Sequence, residues 1–376
     1  MSIPLVDVRA QFAPLRDALL ERIAEVVDSG RYVLGPNVHA FEREAGAFLG
    51  VRETVGVANG TDAIELVLDA LGVGAGDEVI CPAFTFYATV EPVVRRGATP
   101  VFCDVDSSTL NLDPADVASR LTPRTKAVLV VHLFGRPAPI DALPNGVPVV
   151  EDAAQAFGAR VGNRRVGSLG AVATFSFFPT KNLFALGDGG LVATSDPTLA
   201  ETVRLLRFHG SRDKQTFELV GYNSRLDELQ AAALRLFLPQ VDAWNEARRE
   251  AAARYAELGL GDLCDLPGDE PGHVYHVYVV RTRQRDRLLA ALRDAGIGCA
   301  AYYARPLHLQ PALAFLGHRS GALPETERAA AENLALPFWA GIEPETQERV
   351  VEAVRGALRG GARAAASATS SEARWR

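Results

Sequence analysis

Two patterns of hydrophobic and polar positions alternate along the first half of the chain. Short apolar runs predict buried strands, and they lie at 55–58, 78–81, 99–103, 127–132, 147–150, 171–178 and 190–194. Several stretches between them carry apolar residues at helical spacing, as in 63–71. Strands that alternate with helices are typical of an α/β fold whose largely parallel sheet is covered on both faces.

The pattern differs on either side of this region. Amphipathic helices are predicted before it, over 15–29 and 38–49. After a long helix interrupted near Pro239, the chain changes to a smaller α/β layer. Its predicted elements are a strand, a helix, a strand and a last helix, over 274–281, 284–295, 298–303 and 350–358. We therefore expect a large domain (1–240), a small C-terminal α/β domain (241–359) and a disordered Gly/Ala/Ser-rich tail (360–376).

Charge and composition narrow the functional classes. The 376 residues are 48% apolar and 23% charged, with a formal net charge of −7. Nucleic-acid-binding proteins are normally basic, so we predict no nucleic-acid partner. No apolar run approaches the roughly 18 residues of a membrane helix, and the N-terminus lacks a signal pattern. We therefore predict no membrane association and a cytoplasmic protein.

The metal-ligating residue types do not form a recognisable site. The cysteines are scattered without a CxxC pair, at Cys81, Cys103, Cys264 and Cys299. This favours buried thiols over a disulfide or zinc framework. His273 and His276 are predicted on opposite faces of a strand, so they do not make a metal pair. No HExxH, Gly-x-Ser-x-Gly or P-loop motif is present, and we predict no metal.

Side chains that could take part in catalysis or ligand binding follow the carboxyl ends of five predicted strands. They are Thr61, Phe86, His132, Asp152 and Lys181. In open α/β sheets, ligands gather at that edge. We therefore expect these five residues to lie close together.

The first three of these residues each have a plainer interpretation. Gly60 and Thr61 begin a helix whose free N–H groups make a phosphate seat; alternatively, Thr61 or Asp62 is only a helix cap. Phe86 either covers a core or stacks on a flat ring. His132 is either part of a structural hydrogen bond or a catalyst.

Lys181 and Asp152 are the most informative pair. The stretch FSFFPTKNLFALGDGG presents Lys181 after an apolar strand, either as a surface lysine or as an amine in a pocket. Asp152 ends a neighbouring strand, next to Glu151. An amine and a carboxylate at neighbouring strand ends are the two groups that a pyridoxal phosphate enzyme needs. The lysine bonds to the cofactor, and the acid keeps its pyridine nitrogen protonated.

The sequence also resembles the DegT/StrS-type nucleotide-sugar aminotransferases, which are fold-type I pyridoxal phosphate enzymes. The likeness runs from Pro4 to about Leu358 and is carried by ANGTDAIELVLDALGVGAGDEVICPAFTFYAT, EDAAQAFGA, GSLGAVATFSFFPTKNL, GDGG and GYNSRLDELQAA. It implies an aspartate aminotransferase-like large domain with a mostly parallel, seven-stranded-type sheet between helices. It also implies pyridoxal 5'-phosphate as the cofactor.

The resemblance implies roles for individual residues. Lys181 matches the Schiff-base lysine, and Asp152 matches the acid paired with the pyridine nitrogen. The remaining matches are Gln155 at the ring's 3-oxygen, Phe86 stacked on the ring, and Gly60, Thr61 and Ser176 around the phosphate. Asn223 matches a residue that reaches the phosphate of the partner subunit's cofactor. The family therefore implies a homodimer with shared active sites.

The implied reaction moves an amino group from glutamate to a keto nucleotide-diphosphate sugar in amino-sugar biosynthesis. The pattern SFFPTKNL…GDGG is closer to the 3-aminating relatives, which predicts a dTDP- or UDP-3-keto sugar. The alternatives are a 4-keto sugar aminotransferase, a sugar dehydratase, a non-catalytic regulatory homologue and a generic nucleotide-binding α/β protein. Lys181 argues against the dehydratases, in which histidine replaces the lysine.

The sugar itself stays open at this stage. Phe184 stands where many relatives have glycine, and a large side chain there would narrow the sugar pocket. We predict substrate contacts from Tyr32, His132, Tyr303 and His308. For Tyr303 and His308, packing is an equal alternative.

Overall fold

The computed structural model describes residues 2–372, with side chains for residues 2–359. Its strands are β1 (Glu53–Val57), β2 (Glu78–Pro82), β3 (Thr99–Cys103), β4 (Thr125–Val131), β5 (Val149–Asp152), β6 (Arg160–Val161), β7 (Arg164–Arg165), β8 (Val172–Ser176), β9 (Gly190–Thr194), β10 (Tyr278–Arg281) and β11 (Asn333–Leu336).

Its helices are α1 (Val8–Phe12), α2 (Arg16–Ser29), α3 (Pro36–Leu49), α4 (Gly60–Ala70), α5 (Glu91–Arg95), α6 (Pro114–Arg120), α7 (Pro197–Arg207), α8 (Glu228–Phe237), α9 (Val241–Glu257), α10 (Arg285–Asp294), α11 (Pro324–Glu332) and α12 (Pro344–Glu372). Within the described residues, no helix combines the length and the apolar character needed to cross a bilayer.

The described residues form a seven-stranded main sheet in the order β1-β9-β8-β5-β4-β2-β3. β9 is antiparallel to both of its neighbours, and the other strands are parallel to one another. The predicted α/β class, with a mostly parallel sheet, is therefore confirmed. The carboxyl ends of β1, β2, β4, β5 and β8 consequently share one edge.

Both faces of this sheet are buried against helices. Along β9, Val192 contributes to one hydrophobic cluster, with α4, α5 and α7. Leu191 and Ala193 contribute to the opposite cluster, with α3 and α8. This arrangement explains why the strands read as continuous apolar runs and not as alternating ones.

A smaller layer follows α9. β10 pairs with β11 in antiparallel orientation, and a separate cluster that includes Tyr255, Tyr278 and Phe338 fills its core. This separate core supports the domain boundary near residue 240, which we retain as a proposal. α12 enters the segment 360–376, for which the sequence predicts a disordered tail. Side chains from 360 onward and residues 373–376 lie outside the described part, so the tail remains a prediction.

Two predicted strands in this layer are wrong. The strand predicted over 274–281 begins only at Tyr278, because Tyr275 has a φ of 42°, which an extended strand does not accommodate. The segment 298–303 is not a strand, and it pairs only through an isolated bridge between Ala300 and Ala335. His273 and His276 therefore do not lie on opposite faces of a strand.

Candidate active site

The residues singled out at strand ends do follow strands that share one edge of the sheet. Thr61 follows β1, Phe86 follows β2, and Lys181 follows β8. His132 directly follows β4, and Asp152 is the last residue of β5. This grouping follows from the parallel order of the strands, since their carboxyl ends meet at the same edge.

Asp152 is a buried carboxylate held by two hydrogen bonds. The hydroxyl of Thr89 donates to its Oδ2 at 2.7 Å, and the amide of Ala154 donates to its Oδ1 at 3.2 Å. Burial raises the pKa of Asp152, while these hydrogen bonds and the charge of Lys181 oppose the rise. A carboxylate that is fixed in place and poorly solvated is stabilised when it faces a protonated base.

Lys181 is the amine that faces this carboxylate. Its Nζ makes no hydrogen bond to the described residues and has no carboxylate oxygen within 4.0 Å. Although part of its surface reaches solvent, burial lowers the pKa of Lys181 to about 8, against the opposing charge of Asp152. At pH 7.5 roughly a quarter of such amines are uncharged, compared with about 0.1% for an ordinary lysine. The amine is therefore available as a base or nucleophile.

The loop that carries Lys181 is anchored through its neighbour. Asn182 donates to Oδ1 of Asn245 at 2.8 Å and to the carbonyl of Val274 at 2.9 Å. Asn245 in turn donates to the carbonyl of Phe157 at 3.1 Å. Neither asparagine was predicted from the sequence. For Asn182 the available signal was an amide residue within a mostly apolar stretch, whereas Asn245 lies among charged residues of α9 and offers no such signal. These bonds tie the lysine loop to α9 and to the small layer.

The start of α4 is the place where the sequence predicts an anion seat. Asn59 caps the helix by accepting from the amide of Asp62 at 2.8 Å. The alternative in which Thr61 or Asp62 is the cap is therefore wrong, and the Thr61 hydroxyl has no partner among the described residues. A Cβ on Gly60 would lie 2.7 Å from Cβ of Ser176. This close approach brings free helix N–H groups and two hydroxyls together.

Gln155, Tyr303 and Phe86 form the opposite side of the site. Gln155 accepts from the amide of Phe134 at 2.7 Å and donates to the Tyr303 hydroxyl at 3.0 Å. The ring of Tyr303 lies 6.0 Å from that of Phe86, which is 57% exposed. The second amide hydrogen of Gln155 remains free for a ligand. Tyr303 comes from the small layer, so the site lies between the two layers.

His132 does not reach the site, and its predicted substrate contact is wrong. Its ring is fully buried. Nε2 bonds to Oε2 of Glu151 at 3.0 Å, and Nδ1 accepts from the amide of Ala138 at 2.9 Å. Glu151 also accepts from backbone amides of the loop 167–170. Both ring nitrogens are thus engaged, and the structural interpretation of His132 holds.

His308 is also buried, and the structure favours its packing interpretation. Its Nε2 bonds to Oε1 of Glu327 at 3.1 Å. Tyr32 and Asn223 are exposed, but no contact with Lys181 or Asp152 is described within one chain. The Tyr32 hydroxyl donates to the carbonyl of Val27 at 3.3 Å. Oδ1 of Asn223 accepts from the guanidinium of Arg225.

The arrangement fits a flat, phosphate-bearing pyridine ring. It offers an anion seat, a buried carboxylate for a ring nitrogen, an exposed aromatic face and a free amine. Among the described residues, no group of three or more His, Cys, Asp or Glu side chains is placed to hold a metal ion.

Residues 15–355 match the DegT/DnrJ/EryC1/StrS aminotransferase family. The chain is 46% identical to a "pleiotropic regulatory protein" of Geobacillus stearothermophilus, over 94% of this chain and 98% of that protein. It is 45% identical to a dTDP-3-amino-3,4,6-trideoxy-α-D-glucose transaminase of Streptomyces venezuelae, over 94% and 95%. It is 43% identical to a UDP-N-acetyl-3-dehydro-α-D-glucosamine 3-aminotransferase of Acidithiobacillus ferrooxidans, over 95% and 98%.

Solved structures of aminotransferases are similar to this chain along most of its length. S. venezuelae DesV, in complex with a ketimine intermediate, superposes with a TM-score of 0.90 at 46% identity, over 94% of this chain and 98% of that one. NtdA of Bacillus subtilis, with bound cofactor PMP, superposes with a TM-score of 0.84 at 30% identity, over 91% and 82%.

Proposed function

The chain belongs to the DegT/DnrJ/EryC1/StrS aminotransferase family, and from this premise we propose that it transfers an amino group from glutamate to carbon 3 of a keto sugar carried by dTDP or UDP. The observation that carries amino transfer is the unbonded amine of Lys181 facing buried Asp152. The choice of carbon 3 rests on the names of the S. venezuelae and A. ferrooxidans relatives.

Lys181 is the proton-transfer group in this proposal. Pyridoxal phosphate, when bound, supplies an electron sink for the carbon that carries the amino group. Lys181 is proposed to take the proton from that carbon and to deliver it to the C4′ carbon of the cofactor. Its pKa of about 8 suits this exchange, because both protonation states are populated near neutral pH. General base catalysis of this kind contributes about 10²–10⁴-fold.

Asp152 is proposed to hold the proton on the ring nitrogen. A buried anion stabilises a neighbouring cation more strongly than a solvated one does, because little water screens the pair. The Thr89 hydroxyl fixes one carboxylate oxygen at 2.7 Å, and this bond orients the group. Thr89 itself lies 3.0 Å from the hydroxyl of Thr85, which extends the support one residue further.

The remaining cofactor contacts are proposed from the residues that surround Lys181 and Asp152. Gly60, Thr61 and Ser176 would hold the phosphate at the start of α4. Gln155 would donate its free amide hydrogen to the 3-oxygen of the ring, and Phe86 would cover one ring face. Next to both of these residues, Tyr303 is proposed to contact the sugar. Burial raises the pKa of Tyr303, so its hydroxyl stays protonated at neutral pH.

We also propose a homodimer in which Asn223 and Tyr32 complete the partner subunit's site. The segment leading to Asn223 exposes large apolar side chains, with Val220 at 94% and Phe217 at 60% exposure. Exposed apolar surface of this kind marks interaction sites. Sedimentation velocity tests the proposal: a monomer at micromolar concentration would contradict it, as would Asn223→Ala with unchanged cofactor affinity.

The reaction is tested with matched substrates. The protein, cofactor and glutamate are incubated with a dTDP-3-keto sugar, its UDP counterpart or a dTDP-4-keto sugar, and products are identified by mass spectrometry. We expect amination of a 3-keto sugar with release of 2-oxoglutarate. Amination of the 4-keto sugar alone would overturn the assignment to carbon 3.

Other outcomes identify the alternatives. Loss of water from the sugar without amino transfer identifies a dehydratase. The name of the G. stearothermophilus relative raises a regulatory role. A cofactor absorbance band that does not change when glutamate is added would favour that role over catalysis.

A further inference from the structure

His276 is a buried histidine in the segment that joins the two layers, and the reaction proposed above does not use it. It is 7% exposed. Its backbone amide donates to the carbonyl of Phe134 at 2.8 Å, and its carbonyl accepts from Arg248 at 3.3 Å. Its ring Nδ1 is buried and has no partner among the described residues. A buried polar atom without a partner is uncommon and indicates a missing ligand, water or neighbouring group.

Hydrogen bonds connect the segment that contains His276 to the lysine loop. Asn182, the residue after Lys181, donates to the carbonyl of Val274 at 2.9 Å. His276 lies two residues further on, so its Cα is at most about 7 Å from that of Val274. Phe134, which accepts from the His276 amide, donates its own amide to Gln155. His276 is therefore connected to both the lysine loop and the predicted cofactor residue Gln155.

The charges around His276 keep its ring neutral. Arg248 is 1% exposed, bonds to the carbonyls of Tyr275 and His276, and has no carboxylate within 4.0 Å among the described residues. Burial, followed by the positive charges of Lys181 and Arg248, holds the pKa of His276 well below its usual value. Asp152 is the acid whose charge opposes the low pKa of Lys181. A neutral imidazole offers one donor and one acceptor nitrogen.

We propose that His276 is a positioning residue for Lys181, whose amine donates a hydrogen bond to the neutral imidazole through one water. The bond holds the amine in place whenever it is free of the cofactor, so that it does not turn away from the reacting carbon. This inference deepens the proposed function, on which its consequence for turnover rests. The hydrogen bond itself is testable without any substrate.

The first experiment measures Lys181 in the cofactor-free protein. The protein is labelled with trinitrobenzenesulfonate across pH 6–10, and labelling is quantified by peptide mass spectrometry. The exposed Lys126 and Lys214 serve as internal references. We expect His276→Leu to lower the labelling midpoint of Lys181 by about one pH unit, because the ammonium loses an acceptor. His276→Gln retains an acceptor and should restore the wild-type midpoint.

His273 provides the matched control. It is buried in the same segment, and its Nδ1 accepts from the amide of Tyr275 at 2.9 Å. Burial, followed by the charge of Arg136, lowers the pKa of His273, and Lys181 does not contribute. His273→Leu should leave the Lys181 midpoint unchanged. If His276→Leu leaves the midpoint unchanged or raises it, or if His276→Gln behaves like His276→Leu, the proposal is wrong.

The second experiment reads out turnover. With the keto sugar that the wild type aminates, His276→Leu should lower kcat about tenfold and leave KM unchanged, and His276→Gln should recover most of the loss. An increase in KM with constant kcat would contradict a positioning role. If the wild type aminates no keto sugar, the proposed function fails, whereas the labelling result still decides the role of His276.

Discussion

Two acid–base pairs lie at the carboxyl ends of neighbouring strands, and they differ in how completely their polar atoms are bonded. In the closed pair, His132 and Glu151, both ring nitrogens are hydrogen-bonded, and backbone amides donate hydrogen bonds to both carboxylate oxygens. In the open pair, Lys181 and Asp152, the amine has no hydrogen bond to the described residues. Glu151 and Asp152 are consecutive in β5, so they point to opposite faces of the sheet.

This difference in hydrogen bonding distinguishes a pair that stabilises the fold from a pair that is available to a ligand. Burial raises the pKa of both acids, but in Glu151 the bonds from His132 and the loop amides outweigh it and leave the pKa lowered. In Asp152 burial prevails and the pKa is raised, while the pKa of Lys181 is lowered. A charge that the protein itself satisfies stabilises the fold. A charge that it leaves under-satisfied is available to a ligand.

The largest effect should come from removing the amine of the open pair. Lys181→Ala should lower the rate of amino transfer by about 10²–10⁴-fold, because the proposed proton-transfer group is lost. The thermal midpoint should change little, since the amine makes no hydrogen bond that the fold loses. Lys126→Ala, at an exposed position of β4, is the matched control and should be fully active. A Lys181→Ala protein that retained a tenth of the wild-type rate would contradict the assignment.

Next in size is the loss of charge at the acid of the open pair. Asp152→Asn retains the shape and can still accept from Thr89, but it no longer stabilises a protonated ring nitrogen. We expect the rate to fall by about 10²–10³-fold, the range found when one stabilising polar group is removed from an active site. Steady-state kinetics at saturating cofactor and circular dichroism of the folded variant are the measurements. Wild-type kinetics would move the role away from Asp152.

The pH dependence distinguishes the pairs by sign and range. In the proposed reaction the uncharged form of Lys181 is the base, and with a pKa of about 8 its fraction rises from pH 7 to pH 9. The rate at saturating substrates should therefore increase about tenfold over that interval. Glu151, whose pKa is lowered, stays ionised throughout and adds no step. A rate that falls between pH 7 and pH 9 would contradict this assignment of the base.

The seat beside the open pair can be tested with one methyl group. Gly60→Ala places a Cβ 2.7 Å from Cβ of Ser176, so either the start of α4 or the end of β8 must shift. We expect cofactor affinity to fall by about tenfold, equivalent to 1.4 kcal/mol, as measured by titrating the cofactor-free protein. Gly74→Ala is the control, because its Cβ meets no atom within 4 Å. Equal affinities for the two variants would place the phosphate elsewhere.

The sequence was sufficient to predict where the open pair would be. Apolar runs located β5 and β8, and the rule for parallel sheets placed Asp152 and Lys181 at their carboxyl ends. It was not sufficient to separate His132 from them, because the partners of His132 are a carboxylate and an amide that only the folded chain brings close. Local sequence carries no record of such contacts.

The small layer was predicted less well for a related reason. Tyr275 adopts a positive φ within an apolar stretch that otherwise reads as a strand, so the strand was predicted too long. The anchor of the lysine loop joins Asn182 to Asn245, 63 positions apart. Both features depend on tertiary packing, which overrides local preference.

The smallest expected effect on activity comes from the closed pair. Glu151→Gln leaves the site untouched, but it places an amide group against backbone N–H donors that now lack an acceptor. The free energy of unfolding in urea should fall by about 1–3 kcal/mol, while amino transfer stays near wild type at temperatures where the variant is folded. Asp152→Asn should show the reverse, with activity lost and stability retained, because it removes a poorly solvated charge. If both variants lose activity equally while folded, the two pairs are coupled across β5. In that case the number of hydrogen bonds within a pair would not distinguish a structural pair from a catalytic one.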